Sequence, residues 1–336
     1  DFSKSKINAK IERVSNDTYL KVFNNNLFRT PAMPESTDYM TNKIDLNLIN
    51  EDYSFNSGIQ TYETLGLSDS DKYQYVFPYY DFTKSFELSK LSGLINFYSS
   101  GSNDLTDTNS LLTSITNDIE YRSFDQITLS GFRNNFGIYF KNVNTVAKDN
   151  INYKSSPELE AMNIFELNSS WPLKKENKKN INETLTPKIS FRINPDNDMR
   201  NHSVASSIIN ADNAFSINRL GISDSFEAGK SITLGMNYKF DPKEPTLKKN
   251  DEEEIEKKDK YLEIALATVL RDKKEKNIPT SSTINRKQSN LFGTINNNLF
   301  ENIKLEYNFS LDNDFSTIES NSIDAEISIN NFVTSF

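Results

Sequence analysis

The 336-residue chain contains no cysteine, one histidine (His202) and one tryptophan (Trp171). Without cysteine there are no disulfides, and most zinc sites and any Cys–His nucleophile arrangement are excluded. A large sheet closed on itself does not need such staples. No run of about eighteen apolar residues exists, which excludes a transmembrane helix. Hydrophobic residues supply only 36% of the chain, and mean hydropathy is -0.63. These values do not exclude a membrane protein, because a barrel strand exposes only alternate residues to lipid and reads as hydrophilic on average. Excess basic charge is missing too: the net charge of -9 and a pI near 5.0 argue against nucleic acid as a partner. Glycine-rich phosphate loops are absent. The first residue is Asp1, without an initiator Met or signal peptide, which reads as a start removed by processing or truncation.

What the chain has in quantity is period-two alternation. In Lys230-Ser-Ile-Thr-Leu-Gly-Met-Asn-Tyr-Lys-Phe240, Ile232, Leu234, Met236, Tyr238 and Phe240 fall on one side of an extended strand, with Ser231, Thr233, Gly235, Asn237 and Lys239 on the other. A strand this long, tilted by about 45°, matches the apolar band of roughly 25 Å on an outer-membrane barrel. The pattern recurs at Ile303–Leu311, Ile323–Ile329, Ile189–Ile193, Ile44–Leu48 and Ile7–Ile11, between runs of Asn, Asp, Ser and Pro that make turns. The fold class is therefore all-β, an antiparallel meander of about fifteen strands. They are predicted near 5–14, 18–24, 40–49, 52–63, 72–83, 86–99, 114–123, 127–140, 160–168, 185–194, 230–240, 261–271, 287–296, 302–311 and 321–331. Residues 296–302 are expected to make a tight turn and 195–229 a long excursion, as in a barrel with short turns on one rim and long external loops on the other. Aromatics cluster near strand ends, as in Tyr73-Gln-Tyr-Val-Phe-Pro-Tyr-Tyr-Asp-Phe82. Rings at a membrane–water boundary and rings packed in a sandwich core both account for that clustering.

Two segments admit helix. In 251–276 acids precede bases, and Ile255, Leu262, Ala265, Leu266 and Val269 have near-helical spacing. A charged loop over 241–260 feeding a strand is the favoured alternative, since Leu262, Ile264, Leu266 and Leu270 also alternate. Ser155-Ser-Pro-Glu-Leu-Glu carries the signals of a single helical turn.

No catalytic, metal or cofactor site emerges. Asp69 with Asp71, and Asp196 with Asp198, lie in Asn- and Ser-rich loops without EF-hand spacing and read as solvated turns. His202 has no Ser or Asp partner at motif spacing and reads as a surface histidine. The mixed charges of Lys248 to Lys260 read as a solvated loop rather than a docking arm.

One segment is more specific. Asn218-Arg-Leu-Gly-Ile-Ser-Asp-Ser-Phe-Glu-Ala-Gly-Lys-Ser-Ile-Thr-Leu-Gly-Met-Asn-Tyr238 resembles a recurring segment in the barrel of the LptD family (OstA, or organic solvent tolerance protein). The matching positions are Asn218, Arg219, Gly221, Asp224, Glu227, Gly229 and Gly235, with roles structural or unknown. Asp17–Leu20, Tyr62–Leu65, Tyr73–Phe82, Lys141–Thr145, Trp171–Lys175 and Leu185–Arg192 follow the order that family would give. The resemblance implies a translocon barrel that places lipopolysaccharide in the outer leaflet of the Gram-negative outer membrane without covalent chemistry. Its head group would pass through a polar lumen of Ser, Asn, Thr and Lys, and its acyl chains through a seam between strands. The implied partners are lipopolysaccharide, outer-membrane lipids, the plug lipoprotein LptE and the periplasmic bridge protein LptA. No cofactor is implied. Residues 1–336 read as one domain, an internal portion of that barrel that lacks the jellyroll and gate strands and stays open or half-closed. The competing readings are a general or substrate-specific porin, and a soluble β-sandwich adhesion protein whose apolar side chains would be sealed between two layers.

Overall fold

The computed structural model describes residues 3–23, 36–67, 71–177, 181–195, 207–222, 226–242, 260–276, 278–300, 302–329 and 332–335. The strands are β1 (Lys4–Lys10), β2 (Tyr39–Ile49), β3 (Tyr53–Thr64), β4 (Tyr73–Leu88), β5 (Gly93–Thr106), β6 (Ser110–Ser123), β7 (Gln126–Ile127), β8 (Arg133–Lys148) and β9 (Glu158–Ser170). They continue with β10 (Leu173–Asn177), β11 (Ile181–Asn194), β12 (Gly229–Pro242), β13 (Leu262–Arg271), β14 (Leu291–Phe300), β15 (Ile303–Leu311), β16 (Ile318–Ile329) and β17 (Phe332–Ser335). Among the described residues a short α-helix, α1, covers Tyr19–Phe23, and single 3-10 turns cover Asn213–Phe215 and Thr280–Ser282. Two compact units result: Asp1–Arg122 with Tyr139–Met162, and Ser123–Ile138 with Asn163–Phe336.

In the first unit β1 through β5 form an antiparallel meander, each strand laddered to the next. Register shows which side chains share a face. Ile7 opposes Leu46, and Ile44 opposes Ile59, while Phe55 opposes Phe82. The alternate rows carry Asn8, Asp45 and Asn47, where the Asp45 carboxylate accepts from Asn8 Nδ2 at 2.7 Å. The apolar face is the exposed one: Ile7 and Ile44 stand 75% and 53% exposed, whereas Asp45 is buried. Polar side chains on the apolar face satisfy one another. Ser99 Oγ donates to Asn117 Oδ1 at 2.7 Å, and Asn117 Nδ2 donates to Asn142 Oδ1 at 3.1 Å. Hydrocarbon offers polar groups no other partner.

In the second unit the antiparallel ladder runs β9–β11–β12–β13–β14–β15–β16–β17, with β10 folded back on β11 and β7 paired to β8. The faces divide the same way and more sharply. Ile189, Phe191, Ile232, Leu234 and Met236 are exposed, while the intervening Ser190, Arg192, Ser231 and Thr233 are buried. Arg192 is only 3% exposed against 42% for its neighbour Phe191. A sandwich would show the reverse. Near one end Trp171 stacks on Phe132 at 5.0 Å, with the indole Nε1 donating to the Ser130 carbonyl, which suits amphipathic rings at a membrane boundary.

Several predicted elements are corrected. The strand expected at 18–24 is α1: Asn16 Oδ1 accepts from the Thr18 amide, and Leu20 packs with Met40 and Leu65, so capping and one buried contact override a weak alternation. The break expected at 84–85 falls at 89–92, because Thr83 and Lys84 are laddered to Tyr98 and Phe97 inside a single β4–β5 hairpin. Residues 127–140 divide at Ser130-Gly131 into β7 and a longer β8. The helical turn at 155–160 is absent; Glu158 already begins β9, and its carboxylate holds Lys154 at 2.7 Å. The turn expected from 296 starts later, since β14 continues to Phe300. Residues 262–271 are strand, and the charged loop before them lies mostly outside the described residues. The short β10 and β17 were not anticipated.

Two measurements test this arrangement. Leu234→Arg is expected to cost about 2–4 kcal/mol, the penalty of arginine on a lipid-facing strand near the bilayer midplane. Ser322→Arg, exposed and opposite Asn308 on the polar face, should stay within about 0.5 kcal/mol. Urea titration of protein refolded into vesicles compares them, and equal losses would overturn the assignment of faces. The Asp17 carboxyl is held below its ordinary value by the Gly66 amide at 3.0 Å and the Lys72 ammonium at 3.1 Å. Because its folded value is lowered, this tie contributes above pH 3.8 and is lost as pH falls through the folded value. The Gly66 amide resonance should shift in that acid range, and Asp17→Asn should abolish the shift.

Candidate functional site

The polar face of β9, β11, β12 and β13 carries a cross-strand row made by Glu166, Arg192, Ser231 and Arg271, each the register partner of the next. Four buried polar side chains in one row, two of them guanidiniums, call for counter-charge. It comes from residues 207–222 and 226–228, which precede β12 and pack against this face. The centre is Glu227. Arg219 grips it bidentately, Nε to Oε2 at 2.6 Å and Nη2 to Oε1 at 2.5 Å. Arg192 Nη1 approaches Oε2 at 3.2 Å, and Arg271 Nη2 closes on Oε1.

Every N–H of Arg219 is used. Besides the two bonds to Glu227, Nη1 donates to the Ala214 carbonyl at 3.1 Å and Thr233 Oγ1 at 3.0 Å, and Nη2 to Ser231 Oγ at 3.1 Å. Five donors in a planar fork suit this geometry, and a lysine could not reproduce it. Burial pushes the Arg219 guanidinium down to about 9, with the nearby Glu166 carboxylate opposing the shift, so it remains cationic at neutral pH. Arg192 Nη2 donates to the Ser216 carbonyl at 2.5 Å, and Arg271 to the Ala228 and Ile284 carbonyls at 2.9 and 2.5 Å. Each arginine thus ties strand to loop.

Apolar packing completes the attachment. Ile209, Ala211, Ala214, Leu220 and Ile222 from the first loop, with Ile278 and Ile284 from the segment after β13, bury themselves against Ala265, Ala267 and Val269 of β13 and Phe292 of β14. The small β13 side chains leave room for them. Gly235 of β12 works likewise: a Cβ there would lie 2.8 Å from the Phe215 ring and 2.5 Å from the Leu266 carbonyl.

The residues singled out in the sequence converge here. Asn218 closes a turn, accepting from the Ile222 amide at 3.0 Å and donating to its carbonyl at 2.7 Å, with the Gly221 amide on the Asn218 carbonyl. Arg219 and Glu227 form the ion pair. Gly229 starts β12 at φ 85°, where glycine is favoured. Asp224 lies outside the described residues, as do Asp69, Asp196, Asp198 and His202. The excursion expected as an external loop is instead, in its described parts, packed on the polar face. Arg192, Arg271 and Glu166 were not singled out as site residues in the sequence, although Arg192 ends one of the family blocks. No signal along the chain marked the two arginines, since β11 and β13 each also carry a glutamate, Glu183 and Glu263, that could have balanced them.

An antiparallel sheet with its apolar face bare, its polar face carrying ion pairs and inserted loops, and aromatic rings near strand ends is the wall of an outer-membrane β-barrel. The chain belongs to the LptD family: the family model, LPS transport system D, matches residues 3–335. Its members carry out lipopolysaccharide transport in the outer membrane, and that is where this chain resides. No curated protein matches it.

Glu227→Gln removes the charge that three guanidiniums share. Breaking a buried ion pair from one side costs about 3–5 kcal/mol. The variant should lose hydrogen-exchange protection over 207–222 before β15 and β16 do. Arg219→Lys should show the same order, because three donors cannot replace five.

Proposed function

We propose that residues 1–336 act together as a portion of the translocon barrel through which lipopolysaccharide reaches the outer leaflet. The head group passes along the polar face and the acyl chains leave through a seam between strands. The observation that carries this reading, beside the family membership, is the division of faces: apolar side chains stand bare on one face and polar ones gather on the other. Passage requires no bond to be made or broken. Amides and hydroxyls on the polar face exchange hydrogen bonds with sugars and water at nearly equal energy, so a head group is guided without being trapped. The buried Arg–Glu cluster and the apolar packing around it hold residues 207–222 and 226–228 on the wall of the second unit, while the polar face of the first unit presents hydroxyls and amides. The partners in this reading are lipopolysaccharide, the plug lipoprotein LptE and the bridge protein LptA.

The test is reconstitution of the protein in vesicles with its plug lipoprotein, fed with lipopolysaccharide from the bridge side. Lipopolysaccharide accessible to an external modifying enzyme is the expected result. Ion conductance with no lipid delivery would replace this reading with a porin.

A further inference from the structure

The polar face of the first unit holds a groove that the passage of a lipid does not by itself require. Three adjacent cross-strand rows frame it: Lys43, Gln60, Val76 and Asp104; then Asp45, Gly58, Tyr79 and Ser102; then Asn47, Asn56, Asp81 and Ser100. In the middle row Gly58 has no side chain, so Tyr79 can fold down over it, and Ser102 beside Tyr79 is short. The Tyr79 hydroxyl reaches over Gly58, 2.9 Å from where a Cβ would stand. The result is a cavity of about 560 Å³, with Tyr62 and Gln74 at one end.

Its chemistry is selective. Of the cations among the described lining residues there is Lys43, and its ammonium sits 3.3 Å from the Asp45 carboxylate. Asp81 and Asp104 add two more carboxylates, Asp104 accepting from Ser102 Oγ at 2.5 Å. The local balance is acidic, which repels phosphate. The remaining groups are amides, hydroxyls and tyrosine rings. Sugar hydroxyls both donate and accept, so they match carboxylates and amides together, and a sugar ring can lie on an aromatic face. A cavity of this volume with a few convergent polar groups falls in the range of small-ligand sites.

We propose that this groove is a binding subsite for the uncharged saccharide units of the head group and that it turns away phosphorylated ones. The proposal rests on the transport reading above, and gives the polar face a sorting step between the phosphorylated inner sugars and the neutral outer ones.

Photo-crosslinking separates the two claims. The protein, purified in detergent with p-benzoylphenylalanine at position 79 or 308, is irradiated with complete lipopolysaccharide or with lipopolysaccharide cut back to its phosphorylated inner sugars. The probe at 79 should form an adduct with the complete form and at least tenfold less with the truncated one, whereas the probe at 308 should capture both equally. In Asp81→Lys combined with Asp104→Lys, the probe at 79 should gain the truncated form. Equal capture of both forms at 79, or capture at 308 with none at 79, overturns the subsite and leaves passage standing. No adduct at either position overturns both.

Discussion

A sheet with apolar side chains on one face and, among the described residues, no protein layer over them needs an apolar neighbour, and the other properties of this molecule follow from lipid being that neighbour. Isoleucine, leucine and phenylalanine left against water on this scale would drive aggregation. Against hydrocarbon they are at no disadvantage, and the penalty moves to the backbone, whose N–H and C=O groups find no partner in lipid. Long antiparallel ladders meet that demand strand by strand. They also turn the alternate side chains to the other face, where Arg192 and Glu166 can lie buried while Phe191 beside them is bare.

The polar face then needs its own solution, and the two units solve it differently. In the second unit the charges are closed off. Glu227 gathers three guanidiniums, each anchored to a loop carbonyl, and an apolar cluster on the small side chains of β13 seals the contact. A buried ion pair contributes little net stability compared with apolar packing, but it fixes geometry, because one partner alone is so unfavourable. Under the proposed passage, that suits a segment that must stay put on the wall. In the first unit the polar face is left concave and rich in hydroxyls and amides, with Tyr79 and Ser102 lining its groove.

The family segment acquires physical meaning from this arrangement. Asn218 turns the chain, Arg219 and Glu227 make the pair, Gly229 lets the chain enter β12, and Gly235 makes room for Phe215. Read along the chain, such a set has a role that is structural or unknown. In space it is an attachment device, and its cargo is the protein's own loop.

Alternation alone carries most of the strand inventory, since a period of two depends only on neighbouring residues and the pleat. Ser231 through Lys239 were assignable to the polar face without coordinates for that reason. Local signals failed where a long-range partner decided the outcome. Leu20 is helical because Met40 and Leu65 receive it, and β4 runs unbroken past Lys84 because Phe97 lies opposite. The arginine cluster was beyond sequence reasoning altogether. Arg192, Arg219, Glu227 and Arg271 are scattered over eighty positions, and only the register of β11, β12 and β13, together with the return of the loop onto that face, brings four charges within bonding distance. Pattern along a chain determines which side a residue faces; what it meets there is decided by strands that the chain supplies much later.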